Sequence, residues 1–114
     1  MDSSNYKRGN IVLVNLNPQK NNEAGKIRPC IVVSNSDVNS ILELVTIVPC
    51  TTNLLGEGLF RVPVSARQKL EKECEAMLEQ IRGVSKKRVI TVLGEATALE
   101  MQKIENGLKA LLEL

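Results

Sequence analysis

The chain reads as a mainly β protein with short helices, an α+β fold that ends in a C-terminal helix. Three observations predict this. Short β-branched runs recur at Ile11–Leu16, Ile31–Val33, Val45–Val48 and Val89–Leu93, separated by turns rich in Asn, Gly and Pro. One amphipathic stretch, Thr97 to Leu112, carries its apolar residues at helical spacing. With 114 residues, the chain is long enough to bury a core without disulfide or metal staples, so one domain over residues 1–114 is expected.

Met1 to Tyr6 is polar and expected to fray. Ile11 to Leu16 is apolar throughout, which predicts a strand buried on both faces, and Asn17-Pro18 stops it. Gln19 to Ile27 is a polar loop of nine residues, long for a hairpin and of the kind that carries function; a plain surface hairpin is the simpler account. Pro29 to Ser34 and Leu42 to Val48 are the next strands, with Asn35-Ser36-Asp37 and Asn39-Ser40 forming a turn region between them. Asn53 to Gly58 is a turn. Leu59 to Val64 alternates as a short strand whose Pro63 implies an edge or an end. Ser65 is read as capping a helical turn through Lys72. Glu75 to Arg82 fits helix and strand equally, with Gly83 ending it, and Ser85-Lys86-Lys87-Arg88 is a basic patch. At the C-terminus, Thr97 with Glu100 three residues later predicts a capping box, and Met101, Ile104, Leu108, Leu111 and Leu112 share one face. Gly107 costs that helix about 1 kcal/mol against Ala, so packing must hold it.

Composition excludes much. The formal net charge is +2, so nucleic-acid contact must be local rather than spread over the surface. No apolar run approaches a membrane span and the N-terminus lacks a signal-peptide core, so cytoplasmic residence is expected. Cys30, Cys50 and Cys74 lie far apart and read as small buried hydrophobes. The chain has no histidine, which removes Ser-His and Cys-His pairs, imidazole acid–base chemistry and His-type zinc sites. No metal or other cofactor is expected, and Glu71, Glu73, Glu75 and Glu79 read as a solvated charged face.

The best candidate site comes from pairing two strands. If the strands around Ile31 and Val45–Val48 run antiparallel, the start of one lies beside the end of the other. Arg28 and Thr51 then meet at one rim of a sheet. A guanidinium offers a bidentate fork to two phosphate oxygens, and a hydroxyl adds one more donor. On an RNA phosphate the ribose 2′-OH is a built-in nucleophile, so a protein need only position it and stabilise the crowded phosphorane.

At this point several motifs align with one family. Lys7-Arg8-Gly9-Asn10-Ile11 resembles the strand opening (K/R)-G-(D/E)-(I/V) of the MazF/PemK toxin endoribonucleases. Asn17-Pro18, then Glu23 five residues before Arg28-Pro29, is similar to the family's D-P…E-x-x-x-x-R-P loop. Val48-Pro49-Cys50-Thr51-Thr52 resembles V-P-x-T-(S/T), and Leu78-Glu79-Gln80-Ile81-Arg82 resembles (C/L)-(D/E)-Q-(I/V)-R. The resemblance spans nearly the whole chain. It implies a small, curved, SH3-like antiparallel barrel with a C-terminal helix, acting as a homodimer. It implies metal-independent, sequence-specific cleavage of single-stranded RNA to a 2′,3′-cyclic phosphate and a 5′-hydroxyl. It also implies a cognate antitoxin whose disordered tail crosses the dimer, and operator DNA bound only by the toxin–antitoxin complex.

Residue by residue, Arg28 and Thr51 match the family's catalytic pair, Glu23 the loop acid, and Glu79 with Gln80 the later acid–Gln pair. The roles expected are Arg28 as phosphorane clamp and candidate proton donor to the leaving group, Thr51 as oxyanion donor, and Glu23 as orienting group or base. Glu23 or Glu79 would serve as base if burial raised its pKa. Asn22, Thr52, Lys20, Lys26, Lys86, Lys87 and Arg88 are candidate RNA contacts, although ordinary solvated surface explains the cations among them equally well. The chain departs from the pattern at Asn22, where some members have His, at Met77, where others have Arg, and at Gly83-Val84-Ser85, which replaces T-I-D. Two competing functions are a CcdB-like binder that poisons a protein target such as DNA gyrase, and a family member that keeps antitoxin or DNA-complex binding without catalysis.

Overall fold

A computed structural model describes residues 5–18, 21–23, 25–56, 58 and 60–114. Seven strands build it: β1 Asn10–Asn15, β2 Ile27–Val32, β3 Leu44–Thr51, β4 Arg61–Val64, β5 Cys74–Met77, β6 Arg82–Ser85 and β7 Val89–Glu95. Among the described residues, two helices, α1 Ser36–Asn39 and α2 Ala98–Leu112, and two 3-10 turns at Leu78–Gln80 and Lys86–Arg88 accompany the strands.

The sheet is antiparallel in the order β4-β5-β3-β2-β1-β7. It curves without closing, with β4 and β7 at its two ends, so Pro63 lies where a missing N–H is tolerated. β3 is the organising strand. One edge pairs β2; the other pairs β6 along Leu44–Ile47 and β5 at Cys50 and Thr51. A strand that changes partner along its length bends the sheet, and register shifts between β1 and β7 bend it further.

The bend gives the sheet a core on each face, and β1 supplies both. Ile11 packs with Ile31, Val48, Cys50, Cys74 and Ile104 on one face. Val12, Val14 and Leu16 pack with Cys30, Val32, Ile47 and Met77 on the other. The expected two-sided burial of this strand is therefore observed. All three cysteines are buried and free, and burial pushes the Cys30 thiol up to about 12, in keeping with a packing role.

The C-terminal helix follows its sequence closely. Thr97 Oγ1 accepts from Glu100 N–H at 3.1 Å, and Glu100 Oε1 accepts from Thr97 N–H at 2.9 Å, the reciprocal capping box. Ile104 and Gly107 are buried, and α2 packs on β4 and the Leu78–Gln80 turn. Packing thus holds a helix that its glycine weakens.

Several local expectations are corrected. Asn35–Ser40 is not plain turn. The Asn35 carboxamide caps the Asp37 and Val38 amides at 2.8 and 3.1 Å and starts the one-turn helix α1. Tyr6 is buried rather than frayed, and its carbonyl accepts from the buried Asn39 side chain at 3.0 Å. No helix forms from Ser65 to Lys72. That stretch has little apolar surface to bury, and it folds into a tight turn bridged by Arg67 and Leu70, with Gln68 at φ 49°. Gly94 makes room for this turn, since a Cβ there would collide with the Gln68 side-chain amide.

The turn lets Arg67 fork both Glu100 oxygens at 2.5 Å, at the start of α2. Glu75 to Arg82 is resolved as strand, 3-10 turn and strand. β5 is buried along its whole length because it lies between β3 and β4. Gly83 does not end this segment; it pairs with Thr46 inside β6. None of these outcomes is encoded in local periodicity.

Candidate active site

Arg28 sits near the start of β2, opposite Val14 of β1. β2 and β3 pair Cys30 with Pro49, Ile31 with Val48 and Val32 with Ile47. Continued two residues past Cys30–Pro49, that register sets Arg28 opposite Thr51. The two side chains therefore share a rim, as the antiparallel argument expects. A cleft of about 450 Å³ opens there, lined by Lys26 to Pro29 and Cys50 to Asn53. Its charged lining residues are Lys26 and Arg28, both cations, which makes it suited to an anion.

Local bonds fix this geometry. Arg28 Nε donates to the Gly25 carbonyl at 2.9 Å, and among the described residues Arg28 makes no ion pair. Thr51 is 9 % exposed, and its Oγ1 accepts the Asn53 N–H at 3.1 Å. With one lone pair so committed, the hydroxyl keeps its proton for a guest in the cleft. Lys26 is exposed and held at φ 67°, with its N–H on Asn17 Oδ1 at 2.8 Å and its carbonyl accepting from Leu16 N–H at 2.8 Å. Thr52 is exposed at the mouth.

The other sequence candidates divide among separate places. Asn22, Glu23, Glu79 and Gln80 line a neighbouring cleft of about 370 Å³ with Asn21, Ile81 and Arg82, and Gln80 Nε2 donates to the Asn22 carbonyl at 3.2 Å. Glu23 thus lines a different cleft from Arg28 and Thr51. Both Glu23 and Glu79 are exposed, so the burial that would favour either as base is not provided by the single chain. Lys86 and Lys87 border a groove of about 310 Å³ with Ser40 to Glu43. Since Leu44 pairs with Ser85, these lysines sit at the opposite end of β3, roughly 23 Å from Thr51 at ~3.3 Å per residue. Arg88 donates to the carbonyls of Asn15 and Asn17 at 3.2 and 2.5 Å, clasping the end of β1. Lys20 lies outside the described residues.

Two features escape a reading of sequence alone. Glu71, Glu73 and Glu79 are exposed as expected, but Glu75 is buried. The Leu55 N–H, then the Gly56 N–H and Arg61, hold its carboxyl below the usual carboxylate range against the opposing effect of burial. Strict alternation within β5 is masked because every residue there is covered, so no period marks Glu75 as inward. Asn53 is the other, since its contribution is a backbone N–H that any residue type supplies. Among the described residues, no three His, Cys, Asp or Glu side chains converge as metal ligands.

Known proteins agree with this architecture. Residues 7–112 match the family model described as PemK-like, MazF-like toxin of type II toxin–antitoxin systems. The chain is 34 % identical over 114 residues to Endoribonuclease MazF9 of Mycobacterium tuberculosis, covering 95 % of this chain and 97 % of that protein. In three dimensions it resembles MazF from Deinococcus radiodurans, with a TM-score of 0.83 at 25 % identity, over 96 % of this chain and 97 % of the other. It also shares the fold of a mycobacterial endoribonuclease solved in complex with its cognate antitoxin, with a TM-score of 0.76 at 24 % identity and 96 % of each chain covered. By the match across its length and by this relative, the chain belongs to the PemK-like, MazF-like toxins of type II toxin–antitoxin systems.

Proposed function

We propose that this endoribonuclease toxin cleaves single-stranded RNA at a short sequence, without a metal ion, in the Arg28–Thr51 cleft. The observation that carries the reading is one cleft at the rim of β2 and β3, lined by both Arg28 and Thr51, whose charged lining is cationic. The 2′-OH adjacent to the scissile phosphate gives up its proton to Glu23 or water and attacks phosphorus, and the 5′-oxygen leaves with the downstream strand, taking up a proton to become a hydroxyl. The products are a 2′,3′-cyclic phosphate and a 5′-hydroxyl. Arg28 forks the non-bridging oxygens, whose charge grows as the phosphorane forms, and Thr51 donates a further hydrogen bond to one of them. Lys26 adds positive potential at the mouth. A guanidinium is a strongly basic cation and hence a poor standing general base, so its part is electrostatic and geometric.

Asn22, Glu23, Glu79 and Gln80, gathered in the adjoining cleft, have the donors and acceptors to read base edges of the nucleotides beside the cut. Glu23 is the loop acid available to orient the attacking hydroxyl, from the cleft it shares with Glu79 and Gln80. The toxin works as a cytoplasmic homodimer. A cognate antitoxin silences it, with a disordered tail laid across the dimer, and operator DNA is bound only by that complex. The mycobacterial and Deinococcus structures of toxins bound to antitoxins support this partner class. The test is purified protein with a mixed RNA in excess EDTA, cut sites being read by primer extension and the 3′ ends by their resistance to ligation until the cyclic phosphate is opened and the phosphate removed. Discrete cuts with cyclic-phosphate ends are expected; intact RNA, or cleavage only after Mg²⁺ is added, overturns the reading.

A further inference from the structure

Glu75 has no part in the chemistry above, yet it is 3 % exposed within the sheet. A buried carboxylate is costly unless donors satisfy its oxygens. Here Oε1 accepts the Leu55 N–H at 3.0 Å and Oε2 the Gly56 N–H at 2.9 Å, with Arg61 Nη1 at 3.4 Å from Oε1. Both amides belong to the loop that leaves β3 immediately after Thr51. Glu75 itself pairs directly with Thr51 across β3 and β5. Residues opposite one another in antiparallel strands project to the same face. Thr51 and Glu75 are therefore neighbours on one face, about 5 Å apart at Cα, and Arg28 lines the same cleft as Thr51.

The loop is consequently tied twice beside the hydroxyl. Asn53 N–H holds Thr51 Oγ1 at 3.1 Å, and Glu75 holds the two amides that follow shortly after. We propose that Glu75 is a positioning residue for Thr51: its carboxylate fixes the loop after β3, so that the Asn53 N–H orients the Thr51 hydroxyl toward the phosphate. A hydroxyl turns freely about its bond unless a partner fixes it. Asn53 is that partner, and it is only as fixed as the loop that carries it. The inference rests on the Arg28–Thr51 reading.

Single-turnover cleavage by E75Q, T51A and the double variant tests it. Glutamine keeps the shape of Glu75 but has one acceptor oxygen, so one loop amide loses its bond. E75Q should cleave about tenfold more slowly, the scale of one charge-assisted hydrogen bond. Its affinity for RNA carrying a 2′-deoxy nucleotide at the cut should stay within about twofold, because the phosphate cations are untouched. In the T51A background E75Q should cause no further slowing, since the hydroxyl it positions is gone. Gly56→Ala is the second variant. Gly56 has φ +102° with open space around it, so the added methyl strains the loop without striking a neighbour, and it should reproduce the slowing even if E75Q fails to fold. Equal losses from E75Q with and without Thr51 would overturn the proposal, as would full activity in folded E75Q or Gly56→Ala while T51A is slow. Should T51A itself cleave at the wild-type rate, the Arg28–Thr51 reading falls and the positioning role with it.

Discussion

Arg28 combines two contributions that separate variants distinguish: positive charge and a planar pair of donors. Arg28→Ala should lower the cleavage rate by about 10²–10³, the scale for one preorganised donor at a developing charge. Binding of uncleavable RNA should fall far less, because other cations share the phosphates. Arg28→Lys should restore little, since an ammonium keeps the charge and loses the fork. Thr51→Ser should keep most of the rate and Thr51→Ala should not. Quenched-flow cleavage set beside fluorescence-anisotropy binding checks all four; a folded Arg28→Ala protein within a few-fold of wild type would remove Arg28 from the site. The meeting of this pair at one cleft was legible because it needs only the antiparallel pairing of two strands. Glu75 was not, since a run of four glutamates with one inward member looks the same in sequence as four on the surface.

At the scale of elements, the Ser65–Leu70 turn and the start of α2 form one unit through Arg67 and Glu100. Glu100 is 8 % exposed. Burial alone would raise its pKa, but the Arg67 fork, the Thr97 N–H and the Ser65 N–H outweigh it and hold the carboxyl below 4.5. A carboxylate depressed on folding contributes stability that is fully present above its unfolded pKa and is lost as pH falls through its folded value. The stability advantage of wild type over Glu100→Gln should therefore be constant near neutrality and shrink as pH drops below about 4.5. Urea unfolding at a series of acid pH values measures it; an advantage that grows on acidification contradicts the assignment. Arg67→Ala should cost about 2 kcal/mol, between an exposed and a fully buried pair. Thr97→Ala should cost about 1 kcal/mol by removing the cap. The cap was legible as a Thr-x-x-Glu pattern, whereas Arg67 meets Glu100 only through a turn closed by long-range contacts.

For the whole molecule, the described surface leaves Ile41, Leu42 and Leu44 exposed near one end of β3, and Ile90 and Val92 exposed on the end strand β7. A cleft of a few hundred cubic ångströms on one small chain is short for several nucleotides, so a second copy is expected to extend the RNA path. Light scattering at micromolar concentration should give twice the mass of the chain, and an active monomer under assay conditions would exclude the homodimer. Cleavage should also persist unchanged in excess EDTA and gain nothing from added Mg²⁺, Mn²⁺ or Zn²⁺.

Sequence by itself determined the β-branched strands, the two-sided burial of Ile11–Leu16, the capped C-terminal helix and the Arg28–Thr51 opposition. Each depends on periodicity or on one pairing between neighbouring strands, which a short window contains. Tertiary structure decided the rest. Glu75–Arg82 became strand, turn and strand because one edge of β3 offered two successive stretches for it to pair with. Ser65–Lys72 gave up its helix because Leu70 alone of its side chains enters the core, while the turn lets Arg67 reach Glu100. Glu23 joined Glu79 and Gln80 rather than Arg28 because the loop's landing point is set by the 3-10 turn at Leu78–Gln80. Such choices depend on which distant groups become neighbours once the sheet bends, and that information resides in contacts between residues far apart in the chain.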